Sequence, residues 1–308
     1  MPSITRTALA TALMTVALTA AACNVPVFRY ALERWRADDY QLVIAHANAL
    51  SPQQTELIQQ LKAAEEKSNV TVVVQRDETV ETPRVALRMA LPTGRTIAHW
   101  QGSLEDAAGA NLFDSPARKE LVKRLLAGDS VVWLLLRSTD QVRSNASRDL
   151  LAQSCARLSE TIRLPQGIGE PGSELHSEVP LLVRFSAIEI DADDKQEAFL
   201  VRWLSEFRPG LLEQGEPLLV PVFGRGRALE VIPSRDLSQD LVEDLTLFLS
   251  GACSCQVKEQ NPGFDLLLAV DWDTQLFGEN GLRPPPAKTI DRPDQTPRTL
   301  TIPSGKRK

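Results

Sequence analysis

Two of the chain's four cysteines, Cys253 and Cys255, are separated by a single residue and are the side chains best suited to chemistry. Two thiols at this spacing can close a strained, reducible disulfide or bind a soft ion such as Cu(I). They can also be structural, packing where a predicted helix meets the segment Phe264–Val270. Because the motif follows a helix C-terminus, whose partial negative charge disfavours a thiolate, we expect both cysteines to be mainly structural.

The remaining candidates for catalysis or metal binding do not form groups in the sequence. His46, His99 and His176 have no acidic or cysteine neighbour at the spacing of metal ligands. Cys155 falls on the apolar stripe of a predicted helix, which favours a buried thiol. The sequence also lacks a nucleophile elbow and a phosphate-binding loop. We therefore predict no catalytic residue, no metal and no cofactor.

Two charged motifs allow a functional and a structural interpretation. Gly224–Arg227, with the sequence Gly-Arg-Gly-Arg, can bind an anion, but a hairpin turn with solvated arginines is the expectation. Asp271-Trp272-Asp273 offers two carboxylates. With no partner in view, we expect these carboxylates to lie in solvent at a strand end instead of forming a catalytic pair.

The N-terminus has the three parts of a secretory signal peptide. A short polar stretch with Arg6 precedes the apolar run Thr7–Thr19, and Ala20–Ala22 then precede Cys23. The run is too short to span a bilayer, which takes about 20 apolar residues. We therefore expect residues 1–22 to be removed and Cys23 to be the mature N-terminus.

The residues before Cys23 resemble a bacterial lipobox, in which the cysteine is acylated and the signal is cut just before it. Ala20 departs from this pattern, since Leu is usual there, and Ala20-x-Ala22 also suits an ordinary signal peptidase. The resemblance implies a lipid on Cys23 that holds the protein at the periplasmic side of the bacterial cell envelope. The ordinary peptidase would instead give a secreted protein.

The charge of the chain argues against nucleic acid as a partner. Its formal net charge is −6, and loss of Arg6 with the signal would make it −7. Acidic proteins bind the phosphate backbone poorly. The partners that we expect are a protein and, through the lipid on Cys23, a membrane.

Alternating strands and amphipathic helices must position these residues, which indicates an α/β protein. Strands are predicted at Tyr40–Ala45, Val70–Val74, Arg84–Leu91, Thr96–Trp100, Val131–Leu136, Leu181–Ile190, Leu218–Phe223, Ala228–Ile232 and Phe264–Val270. Helices are predicted at Val25–Trp35, Pro52–Lys67, Pro116–Leu126, Ser147–Ile162, Gln196–Phe207 and Leu237–Leu249, the last ended by Gly251. The wholly apolar Val131–Leu136 should be central in a sheet.

The two halves repeat one order of elements: strand, helix, strand, then a proline with a hairpin, then a helix. The second half adds a helix before its proline. This order resembles the thioredoxin fold taken twice. Its best local match is Glu216–Arg227, similar to the thioredoxin segment in which a cis-proline opens a strand ending in Phe-x-x-Gly. Thr82-Pro83 with Thr93-Gly94 is a looser match, so the resemblance implies cis bonds at Pro83 and Pro217.

The resemblance predicts two thioredoxin-like units in tandem, the first abbreviated, each with a mixed central sheet flanked by helices. The predicted division after the signal is an anchor segment and short helix at 23–37, a first unit at 38–127, a second unit with the Cys-x-Cys segment and an extra strand at 128–282, and a tail at 283–308. The tail is rich in proline and ends in basic residues, so we expect it to be disordered.

Active thioredoxins carry Cys-x-x-Cys where the first strand turns into its helix. Here those turns, His46–Ser51 and Ser138–Val142, contain no cysteine, so the resemblance implies redox-inactive units that bind or position a protein partner. The opening Cys23–Trp35 also resembles the start of uncharacterised bacterial envelope proteins, which implies no activity. The alternative is a thiol-disulfide redox or copper-handling protein acting through Cys253 and Cys255. That role would require the sulfurs to lie beside the loop at Pro217. Because they follow the last helix, which lies away from this loop in the thioredoxin fold, we expect them to be far from it.

Overall fold

The computed structural model describes residues 24–90, 96–253, 258–279 and 281–285. The signal segment, Cys23, the predicted turn at 92–94, Cys255 and the tail from 286 lie outside the described residues. The helices are α1 (Val27–Arg34), α2 (Pro52–Ala63), α3 (Leu104–Gly109), α4 (Pro116–Leu126), α5 (Gln141–Thr161), α6 (Ala198–Ser205), α7 (Gln239–Ser250) and α8 (Trp272–Phe277). The strands are β1 (Tyr40–His46), β2 (Val70–Arg76), β3 (Arg84–Ala90), β4 (Thr96–Ser103), β5 (Val131–Arg137), β6 (Phe185–Asp191), β7 (Leu218–Phe223), β8 (Arg227–Ala228), β9 (Ile232–Pro233) and β10 (Phe264–Asp265).

The protein is mixed α/β, with two mixed sheets flanked by helices, and the two sheets share one strand order. The first sheet runs β2-β1-β3-β4, with β1 parallel to β2 and antiparallel to β3. The second sheet runs β6-β5-β7-β8-β10, with β5 parallel to β6 and antiparallel to β7, while β9 also pairs with β7. Parallel strands need a crossover connection, and a helix makes it in each sheet: α2 between β1 and β2, and α5 between β5 and β6. Among the described residues, no helix separates β2 from β3, as predicted for the first repeat.

Three strands are shorter in the structure than predicted, those at Leu181–Ile190, Ala228–Ile232 and Phe264–Val270. The segment Leu181–Ile190 becomes extended only from Phe185. The hairpin arm predicted at Ala228–Ile232 is interrupted between β8 and β9, opposite Pro221, which has no N–H to donate; its carbonyl accepts the N–H of Leu229 instead. These differences leave the centre of the sheet unchanged, since the buried β5 and β7 pair as their apolar sequences predict.

The predicted strand Phe264–Val270 keeps only its first two residues, as β10. Leu266, Leu267 and Leu268 are fully buried, but their chain leaves the sheet. The N–H of Leu268 donates to the side chain of Asn69, beside the first sheet. The apolar run therefore reflects burial between the two sheets and not strand pairing.

Several helix boundaries differ from the predictions, and two helices, α3 and α8, are new. The helix α5 begins six residues earlier than predicted because the carboxylate of Asp140 accepts the N–H of Arg143 as an N-cap. The short α3 was not predicted, although Ser103 and Asp106 form a capping box at its start. Gly251 does not adopt the left-handed backbone of a helix-ending glycine; its φ is −72° and its carbonyl accepts the N–H of Val27.

The core consists of two apolar clusters on opposite faces of the second sheet. The larger cluster joins the sheets, since it contains side chains of β1, β3, β5, β7 and α6 together with Leu266–Leu268. The smaller cluster lies between the second sheet and the helices α1, α5 and α7. Burial of apolar surface in the shared cluster holds the two sheets together.

Candidate functional site at the turn between β5 and α5

The turn that follows β5 packs against the loop that precedes β7. The hydroxyl of Ser138 donates to the carbonyl of Gly215 over 2.8 Å, and the N–H of Ser138 donates to the hydroxyl of Ser144. A Cβ on Gly215 would lie 3.4 Å from the Cβ of Asp140. The structure therefore brings together the two segments that the resemblance made candidates for a site, the Ser138–Val142 turn and the loop at Pro217.

Glu216 closes this site. Its side chain is buried, and its carboxylate accepts hydrogen bonds from Arg143 (2.9 Å), the Ser234 hydroxyl (3.0 Å) and the Arg235 N–H (2.6 Å). The polar groups at the turn thus bond to one another. The turn contains no cysteine, and the carboxylate that accepts the Ser234 hydroxyl is shared with Arg143 and the Arg235 N–H.

The predicted cis bonds at Pro83 and Pro217 are wrong, because the described residues contain no cis peptide bond. Trans is the lower-energy form of an X–Pro bond by about 0.5–1 kcal/mol, and cis needs a tight turn to favour it. Pro217 instead leads directly into extended β7, and its carbonyl accepts the N–H of Ser234. Pro83 enters β3 in the same way.

The corresponding turn of the first sheet is open to solvent. His46 and Ala47 are half-buried, Asn48 is exposed, and the Nδ1 of His46 lies 3.0 Å from the carbonyl of Asn48. Pro83, half-buried, stands one residue before the pairing of Arg84 with Ala45. Like the β5–α5 turn, this turn contains no cysteine.

Cys253 does not lie near Pro217. Ser234, bonded to Pro217, precedes α7, whereas Cys253 follows the other end of that helix, which is about 18 Å long at 1.5 Å per residue. The Cys253 side chain is 2% exposed, and its N–H donates to the carbonyl of Val25. This placement agrees with the structural interpretation of Cys253, while Cys255 lies outside the described residues.

Both described cysteines should resist alkylation in the folded protein. Burial raises the pKa of the Cys155 thiol to about 12, and the Cys253 side chain is enclosed by the smaller core cluster. We expect iodoacetamide at pH 8 to label either residue at least about 100-fold faster in urea than in buffer, because labelling needs an accessible thiolate. Peptide mapping with and without prior reduction measures this. Fast labelling of Cys253 below pH 7, or a tightly bound copper ion, would support the redox or copper alternative.

The arginines of Gly224–Arg227 are not solvated, contrary to the expectation for a plain hairpin turn. Arg225 donates to the carbonyls of Leu32 and Glu33 at the end of α1 and to the carboxylate of Asp273 (2.8 Å). A Cβ on Gly224 would lie 2.7 Å from that of Ala31, so only glycine fits where α1 crosses the turn. The arginine therefore serves to hold α1, by neutralising its C-terminal carbonyls, and is not available to an external anion.

Arg227 belongs to a buried charge network centred on Asp265. The carboxylate of Asp265 accepts from Arg227 (3.1 Å), from Lys258 and from the N–H of Asp38 (2.7 Å), and its carbonyl accepts from the hydroxyl of Tyr40. Burial alone would raise the pKa of Asp265, but the cations Lys258 and Arg227 outweigh it and lower that pKa. The network ties the second sheet to β1 of the first.

The carboxylates of Asp271 and Asp273 have structural partners. Asp271 caps α8 by accepting the N–H of Thr274, and Asp273 pairs with Arg225. The predicted strand end is thus a helix N-terminus, where acidic side chains are favoured.

The three histidines are dispersed, as their spacing indicated. The burial of His99 was not predicted from the sequence. Where β3 pairs with β4, Leu87 lies opposite Trp100 and the next residue, Arg88, lies opposite Ala98. His99 is therefore an extra residue in β4. This bulge turns His99 and Trp100 to the same side, so both are buried although they are neighbours. The His99 ring packs against Tyr40 and Trp203, and burial lowers its pKa to about 4.

Comparisons with known proteins add no identification beyond this geometry. No protein-family model matches the chain, and no curated protein matches its sequence. The class that the structure defines is a mixed α/β protein with two similarly ordered sheets. Among the described residues, no cluster of three or more His, Cys, Asp or Glu is arranged to hold a metal ion. Within the same residues, no helix has the length and apolar character to cross a membrane.

Proposed function

We propose that the protein consists of two thioredoxin-like units in tandem, the first abbreviated, and that it binds or positions a protein partner in the bacterial cell envelope without being an enzyme. The shared strand order supports the repeat, since each sheet has two parallel strands joined by a helical crossover and followed by an antiparallel hairpin. The trans bond at Pro217 is the departure from the pattern that the resemblance implied.

The hydrogen bonds at the Ser138 turn support the proposal that the protein is not an enzyme. At this position an active thioredoxin needs two thiols at the start of a helix, facing the loop before the next strand. Here Ser138 bonds to Gly215, and Glu216 bonds to Arg143, so the facing segments are joined to each other. A turn whose polar groups satisfy one another serves to fix the fold.

The anchoring part of the proposal is a lipid on Cys23 after removal of residues 1–22. The first described residue, Asn24, already donates its N–H to the hydroxyl of Ser173, and Val25 is buried. A chain cut before Cys23 would keep these contacts and the whole of both sheets. The described contacts of the N-terminal segment are therefore retained when the chain begins at Cys23.

The exposed edge of β2 is the surface on which we expect the partner. The other three edge strands are less suited to pairing with another chain. The strand β4 carries the bulge at His99, and β10 has two residues. The strand β6 is covered by Arg124 of α4, which donates to the carbonyl of Ala187. The strand β2 pairs with β1 over all seven residues and contains no proline or bulge. Such an edge offers its free backbone groups to an extended segment of another protein.

Photo-crosslinking tests this function. With p-benzoylphenylalanine at the exposed Thr71 of β2, we expect one discrete adduct in intact cells. Val73→Lys should abolish the adduct because a charge on an edge strand disfavours pairing. Ile97→Lys on β4, another exposed edge position, should leave it unchanged.

The same crosslinker at Val142, 80% exposed on α5, is the control for chance collisions. Far-UV circular dichroism of each variant checks that the fold is retained. Absence of an adduct at Thr71, or the same adduct at Val142, would contradict partner binding through β2.

A further inference from the structure

Two consecutive large apolar side chains are exposed at the end of α7. Leu247 is 50% exposed and Phe248 is 43% exposed. The other exposed large apolar side chains among the described residues are isolated in the sequence: Ile97, Val142, Phe207 and Leu282. Isolated exposed residues are ordinary, whereas an adjoining pair at one helix end suggests a contact surface.

The pair lies where the chain leaves the fold towards Cys23. The N–H of Val27 donates to the carbonyl of Gly251, and the N–H of Cys253 donates to the carbonyl of Val25. The N–H of Gly251 in turn donates to the carbonyl of Leu247. Val25 and Val27 are therefore bonded directly to the segment that ends α7, within a turn of Leu247.

Almost no spacer separates Cys23 from the folded protein. Asn24 is already bonded to Ser173, and one residue spans at most about 3.6 Å. An acyl chain on Cys23 would hold this end of the fold at the membrane surface, where Leu247 and Phe248 emerge. A flexible linker, which would let the protein stand off, is excluded by these hydrogen bonds.

The helix α7 is acidic in its first half and apolar at its C-terminal end, the end that would lie at the membrane. Acidic residues occupy its first half, with Asp240 and Asp244 exposed and Glu243 paired with Arg157. Phe248 is one turn beyond Asp244, about 6 Å along the axis at 1.5 Å per residue. The apolar end can enter the headgroup region while the acidic end stays in water.

We propose that Leu247 and Phe248 form a membrane-docking face, seated in the bilayer that holds the lipid of Cys23. This inference rests on the proposed lipid anchor. Two apolar side chains alone bind a membrane weakly, so the lipid supplies the affinity and the pair sets the orientation. The β2 edge is then left for the protein partner.

A tryptophan reporter tests the docking face. The lipidated Phe248→Trp protein is placed in phosphatidylethanolamine–phosphatidylglycerol vesicles, with or without lipids brominated near the headgroup. The native Trp35, Trp100, Trp133, Trp203 and Trp272 are buried and give a constant background. We expect brominated lipid to quench the new indole about twofold, because an interfacial side chain reaches about 5–10 Å into the bilayer. Val142→Trp, exposed at the other end of the second sheet, should not be quenched.

Mass spectrometry of the same samples separates the possible failures. An N-terminal Cys23 peptide without acyl chains would overturn the anchor and the docking face together. An acylated peptide with an unquenched F248W indole would overturn the docking face and leave the anchor standing. If Phe248→Trp does not fold, Leu247→Trp reports on the same face, and the same two outcomes decide.

Discussion

Asp265→Asn is expected to destabilise the protein by about 3–5 kcal/mol, since it removes the acidic partner of the buried Arg227 while keeping the side-chain shape. In the described residues Arg227 forms its ion pair with Asp265 alone, and both side chains are less than 10% exposed. Lys258 retains Asp38 after the substitution. The uncompensated charge on Arg227 is therefore the main cost. Equilibrium urea unfolding measures the change.

Glu243→Gln is the matched control for Asp265→Asn. Glu243 pairs with Arg157 over 2.8 Å, but both side chains are more than 40% exposed. Exposed pairs contribute about 0–1 kcal/mol, so this isosteric substitution should change the free energy of unfolding little. Equal effects of the two substitutions would mean that the buried network does not hold the sheets together.

Acid should destabilise the protein through His99. The pKa of His99 is about 4 in the folded state because of burial, against about 6.5 in an unfolded chain. Between these pH values the unfolded chain binds a proton that the folded one does not. The free energy of unfolding therefore has its full value above about pH 6.5 and falls as the pH is lowered towards 4. At 1.36 kcal/mol per pKa unit, the loss is about 3 kcal/mol.

His99→Phe should abolish this component of the pH dependence. The Nε2 of His99 has no hydrogen-bond partner among the described residues, and an apolar ring fits the cluster of Tyr40 and Trp203. The variant should therefore be as stable as the wild type at pH 7. Urea unfolding at intervals from pH 7 to pH 4 gives both curves.

The control for the histidine experiment is His46→Gln, at the solvent-accessible turn after β1. Its pH curve should follow that of the wild type, because His46 lies at the end of β1 and outside the buried cluster of His99, Tyr40 and Trp203. A curve for His99→Phe that kept the full acid loss would assign the effect to carboxylates instead.

The elements themselves could be predicted from local patterns. The wholly apolar β5, the strand β7 and the Ser-Pro starts of α2 and α4 are encoded in contiguous residues, and the structure has them at or within a residue of the predicted positions. Periodicity and caps depend on neighbours in the chain, so one sequence suffices for them. The absence of a cysteine from both candidate turns is also a matter of sequence alone.

What the polar residues do was decided by tertiary structure. Arg225, Arg227 and Asp273 have the composition of a solvated turn and strand end, but the fold gives them partners from distant segments. Arg225 pairs with Asp273 and with the end of α1, and Arg227 pairs with Asp265. His99 owes its burial to one extra residue in the pairing of β4 with β3. A buried charge is stable only with partners that come from distant parts of the chain.

The amino-acid sequence thus determined most of the strands and helices, the order in which they repeat and the absence of a cysteine from both candidate turns. Only the tertiary structure decided that Pro217 is trans and that Leu247 and Phe248 border the exit of the N-terminus. These features depend on contacts between residues up to about 230 positions apart, such as Val25 with Cys253. Local propensity carries no information on such contacts, because their free energy arises only when the sheets and helices have packed.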